Sequence, residues 1–183
     1  VRRFFHPTTL KEVIQFAEKS GKDIYYTPEQ WENFIIQSNM KNAEYIFRYL
    51  NSKKIKVDFA NLSEFAILQS EKNPNNLFRG IFFKKYFASY YNERHEDFFS
   101  LYKKGDTEIK IWIIDVLANV NDYNSIRFLI DRLTDVDKKI SERSYSSLKQ
   151  ITKLNPAESG RKEFHDLSVV NTFRVYAEKI RKE

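Results

Sequence analysis

Residues 106–154 read as two copies of one helix with a different helix between them. The first copy opens at Asp106 and the second at Asp137, an offset of 137 − 106 = 31 residues. Under that shift Ile109 falls on Ile140, Leu117 on Leu148 and Val120 on Ile151. The interval holds a second type of helix, residues 124–133. A long helix, a short turn, a second helix and a return to the start form one unit of a helical repeat. Such units bury their apolar faces only by stacking on one another. The same shift carries Phe78 onto Ile109, Arg79 onto Lys110 and Phe82 onto Ile113, so the repeat extends upstream in weaker form over 75–105.

Composition agrees with a helical reading and narrows the function classes. The chain has 183 residues, of which 42% are hydrophobic and 16% aromatic, enough for a sizeable core in a single domain spanning 1–183. That content excludes a disordered chain. With only 4 Gly and 4 Pro, turns are scarce, which favours long helices over strands. The absence of Cys excludes a disulfide framework and thiolate chemistry, and fits a reducing compartment. Basic residues number 31 and acidic ones 25, giving a net charge of +6 that permits nucleic acid or an anionic lipid surface as a partner. No apolar run reaches the roughly 18 residues that would span a bilayer. Val1-Arg2-Arg3-Phe4-Phe5 reads as the boundary ahead of a first helix, with a membrane anchor upstream of Val1 as the alternative.

Along the chain, Thr9 and Glu12 have capping-box spacing, Leu10, Val13, Ile14 and Ala17 follow at helical intervals, and Gly21 suits a stop. Thr27-Pro28-Glu29-Gln30 opens a second helix with Trp31, Phe34 and Ile35 as its stripe, and the two are expected to form a hairpin. Helices follow at 40–52, with Ala43, Ile46, Phe47 and Leu50 inward, and at 59–71, with Leu62, Phe65 and Ala66 inward. Asn73-Pro74 breaks the chain ahead of a helix over 77–91 that is dense in aromatics and suits the inside of a stack. A short helix over 96–104 ends at Gly105. Asp106 then caps a helix with Ile109, Ile113, Val116, Leu117 and Val120 inward. Asn121 and Asp122 turn into the helix of Ile126, Leu129, Ile130 and Leu133, and Asp135 and Asp137 begin the next. The stretch from Asn155 to Gly160 reads as a loop before a terminal helix over 162–181 that buries Leu167, Val170, Phe173, Ala177 and Ile180.

The pattern of Asp106 and Lys110 followed by apolar residues, echoed by Asp137, resembles HEAT-like (armadillo-type) repeats, in which an Asp before the first helix and a base shortly inside it recur. Ser141 stands where the second copy would carry the base, with Arg143 nearby. The resemblance implies an all-α fold, an α-α superhelix of about five antiparallel helix pairs closed by a capping helix over 162–182. It also implies that the second helices line a concave side, here the segments 59–71, 96–104, 124–134 and 162–181. Their outward polar residues Arg127, Asp131, Asn171 and Arg174 are the expected contact surface.

Catalytic chemistry finds little footing. His6, His95 and His165 are the only histidines, and His95-Glu96-Asp97 lacks the second His at i+4 that a zincin helix needs. Trp112 and Asp115 share a helix face, an arrangement that invites comparison with HEAT-like DNA glycosylases, which use an Asp beside aromatic residues in a basic groove. The Trp–Asp spacing does not follow that family's pattern. HEAT-like bilin lyases are another enzymatic branch, and no residue here points to a tetrapyrrole. The expectation is a non-catalytic scaffold that binds another protein through its concave surface, with no cofactor and no metal. A nucleic-acid-binding solenoid is the alternative, and a glycosylase-like enzyme stands behind it. The expected setting is the bacterial cytoplasm, with or without a tether to the inner face of a membrane.

Overall fold

Several helix starts lie where a capping side chain places them. In the computed structural model, which describes residues 7–157, 163 and 165–182, Thr27 is the N-cap of helix α2 (Pro28–Gln37). Its hydroxyl accepts from the Gln30 amide at 3.4 Å, and the Thr27 amide donates to the Gln30 side chain at 2.9 Å, closing the capping box. Asp58 caps α4 (Phe59–Lys72), Asp106 caps α8 (Thr107–Leu117), Asp122 caps α9 (Tyr123–Asp131) and Asp137 caps α10 (Lys138–Thr152). In each case a side-chain oxygen accepts from an amide in the first turn that has no partner within the helix. Eleven helices and no strand occur among the described residues. None of those helices is long and apolar enough to cross a membrane.

Four local expectations change. The first helix, α1 (Pro7–Ser20), begins ahead of Thr9, so Thr9 lies inside it and is not its cap. Gly21 does end it, at φ +68. The helix expected over 77–91 is broken at Gly80 into α5 (Pro74–Arg79) and α6 (Ile81–Ala88). The helix expected from residue 96 begins earlier, as α7 (Tyr91–Lys104), with a kink at Arg94 where φ is −137 and ψ 26. The helix expected from Lys162 begins only at Leu167, since residues 163, 165 and 166 are described and not helical. Residues 1–6 and 158–160 lie outside the described residues.

The chain divides into two compact units, Val1–Glu93 and Arg94–Glu183. In the first, α1 packs chiefly on α3 (Met40–Lys53), and α2 lies against α3 and α4. Side-chain pairs fix the direction of α1 on α3. Lys11 sits over the Tyr45 ring, Glu18 meets Arg48, and Asp23 meets Lys53, so both numbers rise together and the helices run parallel. Helix α6 lies on the other flank of α3 in the same sense, since Glu44 meets Phe82 and Phe83 while Phe47 meets Phe83 and Tyr86. The core between them is aromatic. Phe47 stacks on Phe83 at 4.5 Å, Phe65 meets Phe83 edge-on at 5.5 Å, and Phe83 meets Phe87 at 5.8 Å.

In the second unit, α8 and α10 form a parallel pair. Thr107 donates to Asp137 at 3.3 Å, Ser147 to the Ile114 carbonyl at 3.4 Å and Gln150 to the Ala118 carbonyl at 3.2 Å, while Asp115 pairs with Arg143. These partners are separated by 30, 33, 32 and 28 residues, which bracket the 31-residue offset read from the sequence. Ile109 and Ile140 are both 3% exposed, and Leu117 and Leu148 are both fully buried. The terminal helix α11 (Leu167–Ile180) packs on α9 and α10 and buries Val169, Val170, Phe173 and Ala177, while Leu167 is 69% exposed. The first turn of α9 meets the last turn of α11, where the Tyr123 hydroxyl donates to Glu178 at 3.2 Å and Arg181 lies over the Tyr123 ring. The two helices therefore run in opposite directions, unlike α8 and α10.

Candidate functional site

The break at Gly80 opens a cleft of about 470 Å³ between α3, α5 and the start of α6. Gly80 is the N-cap of α6 and has no side chain with which to cap it. Glu44, reaching across from α3, takes over that task. Its two carboxylate oxygens accept from the amides of Phe82 at 2.9 Å and Phe83 at 3.0 Å. A carboxylate against a helix start satisfies orphan amides and the helix dipole together. Burial nonetheless pushes the Glu44 carboxyl above the usual range, with those amides and Lys84 pulling the other way. The approach is close enough that a Cβ on residue 80 would stand 3.1 Å from both Glu44 Oε1 and Met40 Sδ.

The walls of the cleft are cationic and aromatic. Arg48 pairs with Glu18 through two bonds of 3.2 and 2.6 Å, and its guanidinium lies 5.5 Å from the Tyr45 ring centre and 5.9 Å from that of Phe82. Lys11 covers Tyr45 as well, at 4.6 Å. Lys41 and Arg79 line the same cleft, are exposed, and have no ion-pair partner among the described residues. Asn76, half-buried, contributes a side-chain amide. Sequence reasoning did not single out this constellation. The available signal was Gly80 itself, an isolated Gly inside a helical pattern.

The contact residues expected from the repeat reading lie on the second unit. Arg127 is exposed on α9, donates to the Tyr123 hydroxyl at 2.9 Å and stands 4.0 Å from Glu178. Asp131 is exposed at the end of α9. Asn171 and Arg174 are exposed on α11 and face each other at 3.4 Å. The structure thus ties Arg127 to α11 through Glu178, and Asn171 to Arg174. No bond among the described residues joins the two pairs.

Asp115 is 6% exposed, and both its oxygens are taken by the Arg143 guanidinium. Trp112 is fully buried three residues away. An Asp engaged in this way joins α8 to α10. His95 lies 3.3 Å from Glu96, and among the described residues no group of three or more His, Asp or Glu side chains is placed to hold a metal. No family model, curated protein or solved structure matches the chain.

Proposed function

We propose that this chain is a HEAT-like helical-repeat scaffold, built on the plan of an α-α superhelix of about five helix pairs, that binds another protein without catalysing a reaction. One observation carries the reading. Helices α8 and α10 lie parallel, joined at Thr107–Asp137, Ile114–Ser147, Asp115–Arg143 and Ala118–Gln150, so the 31-residue offset corresponds to one helix stacked on the next. Stacking of matched helices is how solenoids build extended binding surfaces, with shape and side-chain chemistry on the outer faces for recognition. The exposed residues Arg127, Asp131, Asn171 and Arg174 belong to such faces.

The test is affinity capture with the whole chain as bait, carried out with and without nuclease and over a salt series. A protein partner retained after nuclease treatment, and lost in a variant carrying Arg127→Glu and Arg174→Glu or one altered at the Gly80 cleft, is the expected result. Retention that disappears with nuclease and falls steeply with salt marks phosphate contacts and a nucleic-acid-binding protein instead. Base-excision activity abolished by Asp115→Asn, in a variant that stays folded, would place the chain among enzymes.

A further inference from the structure

We propose that the cleft beside Gly80 is a docking site for an acidic segment of the partner protein, an inference that rests on the protein-binding reading above. Charge is the first argument. Two of the cleft's ionic groups are already matched, Arg48 by Glu18 and Glu44 by the α6 amides. Lys41 and Arg79 are left, both positive, both exposed, both on the cleft wall, and neither is paired among the described residues. The local imbalance calls for carboxylates from outside, and the volume of about 470 Å³ falls within the roughly 300–1,000 Å³ typical of ligand sites.

The ring geometry favours peptide over single-stranded nucleic acid. Base binding on a platform of this kind needs open aromatic faces. Tyr45 is covered by Lys11 at 4.6 Å and Arg48 at 5.5 Å, and Phe82 has Arg48 at 5.9 Å. What remains exposed beside them is apolar surface. Phe82 is 36% exposed and the adjoining Ile81 57%. An acidic segment with one apolar side chain uses that surface along with the two cations. The Asn76 amide, which makes no side-chain bond among the described residues, has the donor and acceptor that pair with a peptide main chain.

Fluorescence anisotropy at low salt tests the proposal with three labelled probes. The first is a Glu-rich peptide with one central Phe, the second the same peptide with every Glu replaced by Gln, and the third an oligothymidylate of matching charge. The Glu peptide is expected to bind, the Gln peptide to bind weakly, and the oligothymidylate to bind less tightly than the Glu peptide. Lys41→Glu with Arg79→Glu should weaken the Glu peptide by about tenfold or more, the loss of two partly exposed ion pairs. Lys103→Glu with Lys104→Glu, exposed bases on the other unit, serves as the control for net charge and should leave the affinity unchanged. No binding of the Glu peptide overturns the proposal. So does equal weakening in both charge-reversal variants, or tighter binding of the oligothymidylate lost in the cleft variant. Should the cleft variant still capture a nuclease-resistant partner while the Glu peptide fails to bind, the docking site falls and the scaffold reading stands.

Discussion

A methyl group at residue 80 would press on Glu44 Oε1 and Met40 Sδ, each 3.1 Å from where its carbon would stand, and Glu44 is held in place by the Phe82 and Phe83 amides. Crowding of that kind costs about 1–3 kcal/mol, while replacing Gly returns about 0.4–1 kcal/mol through the unfolded chain. Crowding wins, so Gly80→Ala should lower stability by roughly 0.5–2 kcal/mol in urea unfolding. Glu44→Ala strips two amides of their acceptor and should cost about 1–2 kcal/mol. The pH dependence has a definite sign. Burial raises the folded-state value of the Glu44 carboxyl, so the folded protein holds that proton more tightly than the unfolded chain does. Stability from this group is fully present below the ordinary carboxylate range and is lost as pH rises through the raised value. The stability difference between wild type and Glu44→Gln should therefore grow as pH falls through that window. A difference that shrinks would place the carboxyl in a less buried setting. Tyr90 gives a third residue-level expectation. Its hydroxyl donates to the Val57 carbonyl at 2.8 Å and accepts from the Val57 amide at 2.8 Å. Burial holds it above the usual phenol range, so it stays protonated. Tyr90→Phe leaves the Val57 amide with only its longer bond, to the Tyr86 hydroxyl at 3.2 Å, and removes the donor to the Val57 carbonyl, so it should cost about 1 kcal/mol.

At the scale of single helices, much was legible because caps act over three or four residues. Thr27 with Gln30, and Asp106, Asp122 and Asp137, each satisfy amides of their own first turn, so the sequence alone contains both halves of each bond. The cap that Glu44 supplies at Gly80 was not legible for the opposite reason. Its acceptor, Glu44, comes from 36 residues upstream on another helix, and no local signal announces it. Thr9 misleads because Pro7 begins the helix two residues earlier. Helices α3 and α10 end on Lys54 at φ 54 and Lys153 at φ 61, a left-handed conformation that a Cβ disfavours. Lys54→Gly and Lys153→Gly should each stabilise by roughly 0.5–1 kcal/mol, read as a higher unfolding midpoint.

For the chain as a whole, the 31-residue offset was visible because Ile109, Leu117 and their counterparts Ile140 and Leu148 are all buried, and burial leaves a hydrophobic trace in sequence. The direction of α11 against α9 left no such trace. It rests on Tyr123, Glu178 and Arg181, polar side chains that could as well have faced water. The cleft went unread for a similar reason, since Lys41 and Arg79 look like any solvated base until Gly80 brings their helices together. Stacking of α8 on α10 underlies the repeat reading, and the Asp115–Arg143 pair probes it directly. Asp115 is 5% and Arg143 44% exposed in their side chains, so the pair is shielded on one side only. A double-mutant cycle of Asp115→Ala and Arg143→Ala, measured by urea unfolding, should give a coupling of about 1–2 kcal/mol in favour of the pair. A coupling of zero, with both single variants folded, would mean that α10 does not lie on α8 in this register.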